Sequence, residues 1–146
     1  MHLGIGLKHI KDGEFAGWST WDLETTFDQV VGPFYFRTDD DGRMRCAFRA
    51  EQKHMNAGHR MHGGCLMTFA DIALFQVAYQ ELEGSRGVTV QLDSTFVDAV
   101  RVGDLVEATG EVVRAGGSLV FVRGQIAVAD RTVMTFSGVI KRWKEQ

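Results

Sequence analysis

Asp71 interrupts an otherwise apolar run, Cys65 to Ala78, in which only Thr68 and Gln76 are also polar. An ionised carboxylate there is costly unless something pairs with it. It is therefore either a structural residue bonded to a neighbouring strand or loop, or a group kept for acid–base or nucleophilic work. Nine residues earlier, His62-Gly63-Gly64 opens the same run. At a helix start the backbone N–H groups lack intrahelical acceptors and the dipole favours negative charge. Glycine leaves room for a carbonyl to approach those donors, and such an N–H stabilises the oxyanion formed when an ester or thioester is attacked. The plainer reading is that the two glycines let the chain turn into a tightly packed helix, with His62 as its cap.

Other reactive side chains form weaker patterns. His54, His59 and His62 have no Cys, Asp or Glu at a spacing that would complete a metal site. Cys46 and Cys65 are too few for a disulfide framework, and Cys65 reads as a packed core thiol. Arg114-Ala115-Gly116-Gly117-Ser118 is most simply a hairpin turn. Its functional alternative is a loop whose Arg114 and backbone donors meet phosphates. Arg43, Arg45 and Arg49 read as a solvated strand face.

The elements that must hold these residues follow from periodicity. Trp18–Val31 reads as a short amphipathic helix with Trp21, Phe27 and Val31 inward, stopped by Gly32-Pro33. Phe34–Arg37 is an expected strand. Arg43–Ala50 alternates, with Met44, Cys46 and Phe48 on one side. Glu51–Met61 lacks a period and reads as a loop. Gly63 to about Glu83 is expected to be one long helix, apolar nearly all round and so buried on most sides. Val88–Val97, Leu105–Arg114, Leu119–Ala129 and Thr132–Trp143 are β-prone, and their short separators predict antiparallel neighbours. The expected fold class is α+β, with an antiparallel sheet curled around one central helix.

The chain has 146 residues, 45% hydrophobic and 24% charged, with one proline and a formal charge of −3. That length supports one core without a metal or disulfide staple. The charge balance argues against a nucleic-acid partner, and the Cys65–Ala78 run is too short to span a bilayer. The first residues lack a signal-peptide pattern, so the expected location is the cytoplasm.

The segment Asn56-x5-His62-Gly63-Gly64-x6-Asp71 resembles the hotdog-fold thioesterases of the phenylacetate-pathway and 4-hydroxybenzoyl-CoA thioesterase type, which hydrolyse acyl-coenzyme A thioesters. The resemblance extends to Thr89, where the family has a serine or threonine, and to the run Ser94–Asp104. It covers roughly residues 32–143, leaving 1–31 as an N-terminal segment with a short helix and 32–146 as the hotdog domain. It implies that Asp71 is general base or nucleophile and that Gly63 supplies the oxyanion N–H. It further implies that His62 and Asn56 position the carbonyl and the water, and that Thr89 orients the water or Asp71. No cofactor is required, and coenzyme A enters as part of the substrate, with Arg114, Gly116 and Ser118 as candidates to hold its tail. A hydratase or dehydratase of the same fold, or a non-catalytic acyl-CoA-binding protein, are the competing readings.

Helix geometry adds an independent expectation. Eight residues separate Gly63 from Asp71, about 12 Å along the axis at ~1.5 Å per residue. A base and an oxyanion donor acting on one carbonyl must each lie roughly 3 Å from the reacting atoms. If both act on one thioester, they must come from two chains with antiparallel helices. A homodimer is thus expected, with a dimer of dimers as the larger option.

Overall fold

The computed structural model describes residues 6–146. The chain order is β1 (Leu7–His9), β2 (Ser19–Trp21), α1 (Phe27–Val31), β3 (Tyr35–Thr38), β4 (Met44–Arg49), α2 (Gly63–Val77), β5 (Ser85–Phe96), β6 (Leu105–Ala115), β7 (Leu119–Val128) and β8 (Arg131–Lys144). A short 3-10 turn, Gln52–His54, precedes α2. The eight strands form one antiparallel sheet in the order β1-β2-β3-β4-β6-β7-β8-β5, and α2 packs against its inner face. This is the α+β arrangement expected from the sequence.

The buried stripe of α2, Leu66, Phe69, Ala70, Ala73 and Leu74, recurs at the three- and four-residue spacing of a helix face. Phe69 meets Phe48 of β4 edge-to-face and Phe34 in a stack, with ring centroids 4.7 and 5.7 Å apart. Gly138 of β8 allows the close approach of helix to sheet, because a Cβ there would collide with the Leu74 methyl groups. The helix ends at Val77, earlier than the expected Glu83. The chain continues through turns in which Tyr79 and Gln80 are exposed, then reverses at Gly84 with φ +74°. Ala78 and Leu82 remain buried beyond the helix end, so the core continues through these turns, and the chain reverses at Gly84 in the left-handed conformation that ends helices.

Two expectations about neighbours fail. The predicted helix over Trp18–Val31 is instead strand β2, a connection and the single helical turn α1, capped by the Thr26 hydroxyl. Trp18 packs with Phe15 over Ala47, on the face of β4 opposite the main core. A Ser-Thr-Trp stretch joining a sheet edge has outweighed a loose helical pattern. The antiparallel adjacency expected between the strands now numbered β5 and β6 also fails: β5 pairs only with β8, and β6 inserts between β4 and β7. Residues 97–104 make that passage, with Val100 buried and its carbonyl accepting from Met61 N–H at 2.8 Å.

The arginine face of β4 is not simply solvated. Arg45 pairs with Asp39 and Glu107 at 2.8 and 3.1 Å, and Arg49 pairs with Glu14 and donates to Gly103 O. Among the described residues no helix is long and apolar enough to cross a membrane.

Candidate active site

Four of the sequence-predicted residues lie on α2 or against it: His62, Gly63 and Asp71 on the helix, and Thr89 bonded to Asp71. His62 caps the helix, and its Nδ1 accepts from Gly64 N–H at 2.9 Å. In the neutral ring that bond leaves the proton on Nε2. Cys65 and Leu66 N–H groups both donate to His62 O, at 2.9 and 3.3 Å. Gly63 is thereby left as the first-turn donor without an acceptor among the described residues. A Cβ on Gly63 would stand 3.3 Å from two atoms of the Phe96 ring, so the glycine lets that half-exposed aromatic lie directly over the helix start.

Asp71 sits two turns further on, half-buried, and its Oδ1 accepts from Thr89 Oγ1 at 2.5 Å. Thr89 points inward because of a local irregularity. Ser85, Gly87 and Thr89 are turned in before a bulge at Val90, whereas Leu92 and Ser94 are turned in after it. A bulge re-aims side chains in this way by changing the parity of the strand. The predicted structural alternative for Asp71, a bond to a neighbouring strand, and the predicted pairing with Thr89 are thus one contact.

Asn56 is committed differently from expectation. Its Oδ1 accepts from Gly58 and Arg60 N–H at 2.9 and 3.2 Å, and its own N–H bonds to Arg60 O at 2.7 Å. The side-chain oxygen therefore shapes the exposed 56–60 loop, in which His59 adopts φ +58°. Only its Nδ2 remains as a donor toward a ligand.

The β6–β7 turn carries Arg114, Gly116 and Ser118. Gly116 N–H is spent on Leu119 O at 2.8 Å, which makes the segment a hairpin turn in fact. Arg142 of β8 binds the turn through Gly116 O and Ser118 O at 2.6 and 2.7 Å, and also donates to Glu81 O beyond the end of α2. Arg114 is exposed, with no side-chain partner among the described residues.

Sequence reasoning missed Lys53 and Asp28 altogether and weighed His54 only as a metal ligand. Lys53 Nζ donates to Gly32 O and His54 Nε2 to Val31 O, both at 2.6 Å, clamping the end of α1 near the start of α2. His54 O in turn accepts from His62 N–H at 2.9 Å. Through that clamp α1 presents Asp28, whose carboxyl is raised above its ordinary value, first by burial and then by the charge of Asp71. The signal lay in pairing between distant segments, which no local period carries. Burial pushes the Cys65 thiol up to about 11, against a weaker opposite pull from Lys53, and the Cys46 thiol up to about 12. An open depression of about 770 Å³ crosses the sheet past Arg45, Asp93, Glu111 and Arg123, but no predicted site residue lines it.

A helix wrapped by one antiparallel sheet, with a carboxylate–hydroxyl pair and an open N–H on the same helix, defines a class that comparison with known proteins identifies. Residues 58–135 match the thioesterase superfamily model. A Pseudomonas aeruginosa protein provisionally described as an esterase is 34% identical over 111 residues, covering 75% of this chain and 83% of its own. Human acyl-coenzyme A thioesterase 13 is 26% identical over 95 residues, 65% of this chain and 68% of its own. Among solved structures, the Escherichia coli PaaI protein of the phenylacetic acid degradation operon superposes with a TM-score of 0.71 at 22% identity, covering 82% of this chain and 85% of that one. A hypothetical thioesterase from Streptococcus pneumoniae, solved with coenzyme A, gives 0.69 at 21% identity over 77% and 88%. The chain belongs to the thioesterase superfamily, with the hotdog fold, and is a thioester hydrolase.

Proposed function

We propose that this protein hydrolyses acyl-coenzyme A thioesters to the free acid and coenzyme A, at a site completed by a second copy of the chain. The observation that carries the reading is the Thr89–Asp71 contact on the same helix as the uncommitted Gly63 N–H. Asp71 either takes the proton of an attacking water or attacks the carbonyl itself, forming a mixed anhydride that water then hydrolyses to release the acid and restore the carboxylate. Thr89 fixes the Asp71 carboxylate by its hydroxyl and leaves Oδ2 for the reacting partner. The Gly63 N–H of the facing copy stabilises the oxyanion, and the coenzyme A thiolate leaves as the carbonyl reforms. His62, through Nε2–H, and Asn56, through Nδ2–H, point donors toward the carbonyl or water. Water and these groups suffice, so no cofactor is needed.

The long edge strand β5 supports the dimer. Its hydrogen-bonding partner is β8 on one side only, and Val88, Val90 and Phe96 along it are 47, 54 and 54% exposed. Pairing two β5 strands antiparallel would cover these side chains and bring the helices of two copies together. Pairing of such dimers into tetramers is the larger alternative. Arg114, with the turn at Gly116 and Ser118, is our candidate for the coenzyme A phosphates, and the human relative's name and the coenzyme A bound in the streptococcal structure favour that ligand. Residues 32–146 are assigned to the catalytic domain and 1–31 to a segment that adds to it. Thiol release from an acyl-CoA panel, measured for the parent and for Asp71→Asn, tests the whole reading. Loss of at least ~100-fold in kcat is expected, the lower end of positioned acid–base catalysis, whereas a folded variant with near-parent turnover overturns the role of Asp71.

A further inference from the structure

The ring of Phe96 stands beside the open N–H of Gly63. Leu92, Ser94 and Phe96 share the side of β5 turned toward α2 beyond the bulge, and Phe96, the last of them, falls opposite the helix start. A Cβ on Gly63 would lie 3.3 Å from Cε1 and Cζ of the ring and 4.0 Å from Cε2, so it is the outer edge of the ring that reaches the glycine. In a helix both the Cβ direction and the free N–H groups lean toward the N-terminus. The ring and a carbonyl accepting from Gly63 therefore share one space ahead of the helix.

Two contacts set where the ring stands. At its root, the N–H groups of Val97 and Asp98 both donate to Val133 O, at 2.8 and 3.2 Å. One turn further along α2, Met67 bridges helix and strand, its thioether accepting from Ser94 Oγ at 2.5 Å. That contact blocks the ring from sliding toward Asp71 of its own chain. Although turned toward the helix, Phe96 is 54% exposed, so one side of it stays open to whatever arrives at Gly63.

We infer that Phe96 selects acyl groups at the carbon next to the carbonyl, admitting an unbranched CH2 and disfavouring a carbon that bears two methyl groups. The inference rests on the thioesterase reading above, with Gly63 as oxyanion donor, and names its substrate class. The sulfur side of the thioester is the same CH2 in every coenzyme A ester, so crowding beside the carbonyl discriminates on the acyl side alone. An unbranched CH2 turns its chain away from the ring and presents only hydrogens. With two methyls, one on each face of the thioester plane, a methyl meets the ring whichever face it lies on, and overpacking of that kind is costly. Ring and donor come from one copy of the chain, and the base from its partner.

The test takes the straight-chain acyl-CoA, of four carbons or more, that the parent cleaves fastest, together with its 2,2-dimethyl and 3,3-dimethyl derivatives. The two branched substrates are isomers, so only the place of branching differs. Branching slows thioester hydrolysis by itself, so the readout is the change in kcat/KM ratios from parent to variant, which also cancels any difference in folded fraction. In Phe96→Ala the preference for the straight chain over the 2,2-dimethyl substrate should fall about tenfold, the weight of one crowded carbon, while the preference over the 3,3-dimethyl isomer should change by less than about twofold. Phe96→Tyr, which keeps the ring, should hold both ratios. Ratios unmoved in folded Phe96→Ala, or moved equally for the two isomers, would overturn the selection while leaving hydrolysis standing. Absence of thiol release from every acyl-CoA offered to the parent would overturn the selection together with the hydrolytic reading.

Discussion

Thr89 and Asp71 meet at 2.5 Å, hydroxyl to carboxylate, across the contact between edge strand β5 and helix α2. The strand thus determines which Asp71 oxygen stays available, and a bulge one residue later sets which way Thr89 faces. A hydrogen bond to a charged group is worth about 1.5–3 kcal/mol. Thr89→Val should therefore lower kcat by roughly 10- to 100-fold with KM nearly unchanged. Thr89→Ser, which keeps the hydroxyl, should restore most of the rate. Steady-state kinetics of the two variants checks this. A Thr89→Val enzyme as fast as the Ser variant would show that the contact is only structural.

Asn56 separates scaffold from donor. Its Oδ1 holds the Gly58 and Arg60 N–H groups, so Asn56→Ala removes the loop's internal acceptor along with the free amide. Asn56→Asp keeps the acceptor and removes only the Nδ2 donor. If that donor positions the carbonyl, Asn56→Asp should slow turnover by at least ~tenfold while its thermal midpoint stays close to the parent's. Full activity in Asn56→Asp together with loss in Asn56→Ala would reduce Asn56 to loop architecture.

The legible parts of this molecule were those whose information is local. The apolar run Cys65–Ala78 announced α2, though only one side of it, the Leu66–Leu74 stripe, is buried and not most sides as expected. The alternation Met44-Cys46-Phe48 announced β4, and the glycine pair after His62 marked a helix start with an open donor. What was not legible depends on which distant segments pair. Nothing in residues 97–104 states that β6 will insert beside β4, and nothing in Ser19–Trp21 outweighs a loose helical period until the β3 edge is present. The same holds in the site. Asp71 and Thr89 stand in a recognisable spacing, whereas Asp28 reaches Asp71 only through the clamp of Lys53 and His54 on α1.

Asp28 should also mark the pH dependence of stability. Its folded carboxyl is raised above the ordinary value of 3.8, by burial first and Asp71 second. Between the ordinary and raised values the native state holds more protons than the unfolded state, so stability falls as pH rises through that window. Asp39 works in the opposite sense. Burial pushes its carboxyl up, but bonds from Arg45 and Arg37 outweigh this and lower it, so its contribution is lost as pH falls. Urea unfolding of the parent and Asp28→Asn across this window should show a difference that grows with pH in favour of the variant. A constant difference would remove Asp28 from the pH response.

Cys65 lies three residues from the cap histidine, yet its thiol is displaced to about 11 by burial. It should therefore be overwhelmingly protonated near neutral pH and poor as a nucleophile. Cys65→Ala should retain parent kcat within about threefold, and the parent thiol should react with iodoacetamide far more slowly than a free cysteine does. A Cys65→Ala variant with abolished turnover but intact fold would reinstate a thiol mechanism.

The shared site predicts complementation between two inactive variants. Gly63 is the first helical residue of α2, where proline is tolerated because its missing N–H has no intrahelical acceptor. His62 before it has φ −60° and ψ 134°, the extended conformation that proline imposes on its predecessor. Gly63→Pro thus removes the proposed oxyanion donor with little cost to the helix, provided that the half-exposed Phe96 ring yields. Asp71→Asn removes the base. Each variant alone should be nearly inactive. In a heterodimer of the two, one site combines Asp71 of the first chain with Gly63 of the second and is intact, while the other site lacks both. Statistical exchange of equal amounts makes half the dimers mixed, so about a quarter of parent activity should return, following the symmetry of a two-fold interface. The measurement is thiol release after unfolding and refolding the mixture, beside each variant refolded alone. Activity no greater than the average of the two variants would place donor and base within one chain, and the antiparallel arrangement of helices proposed here would fall with it.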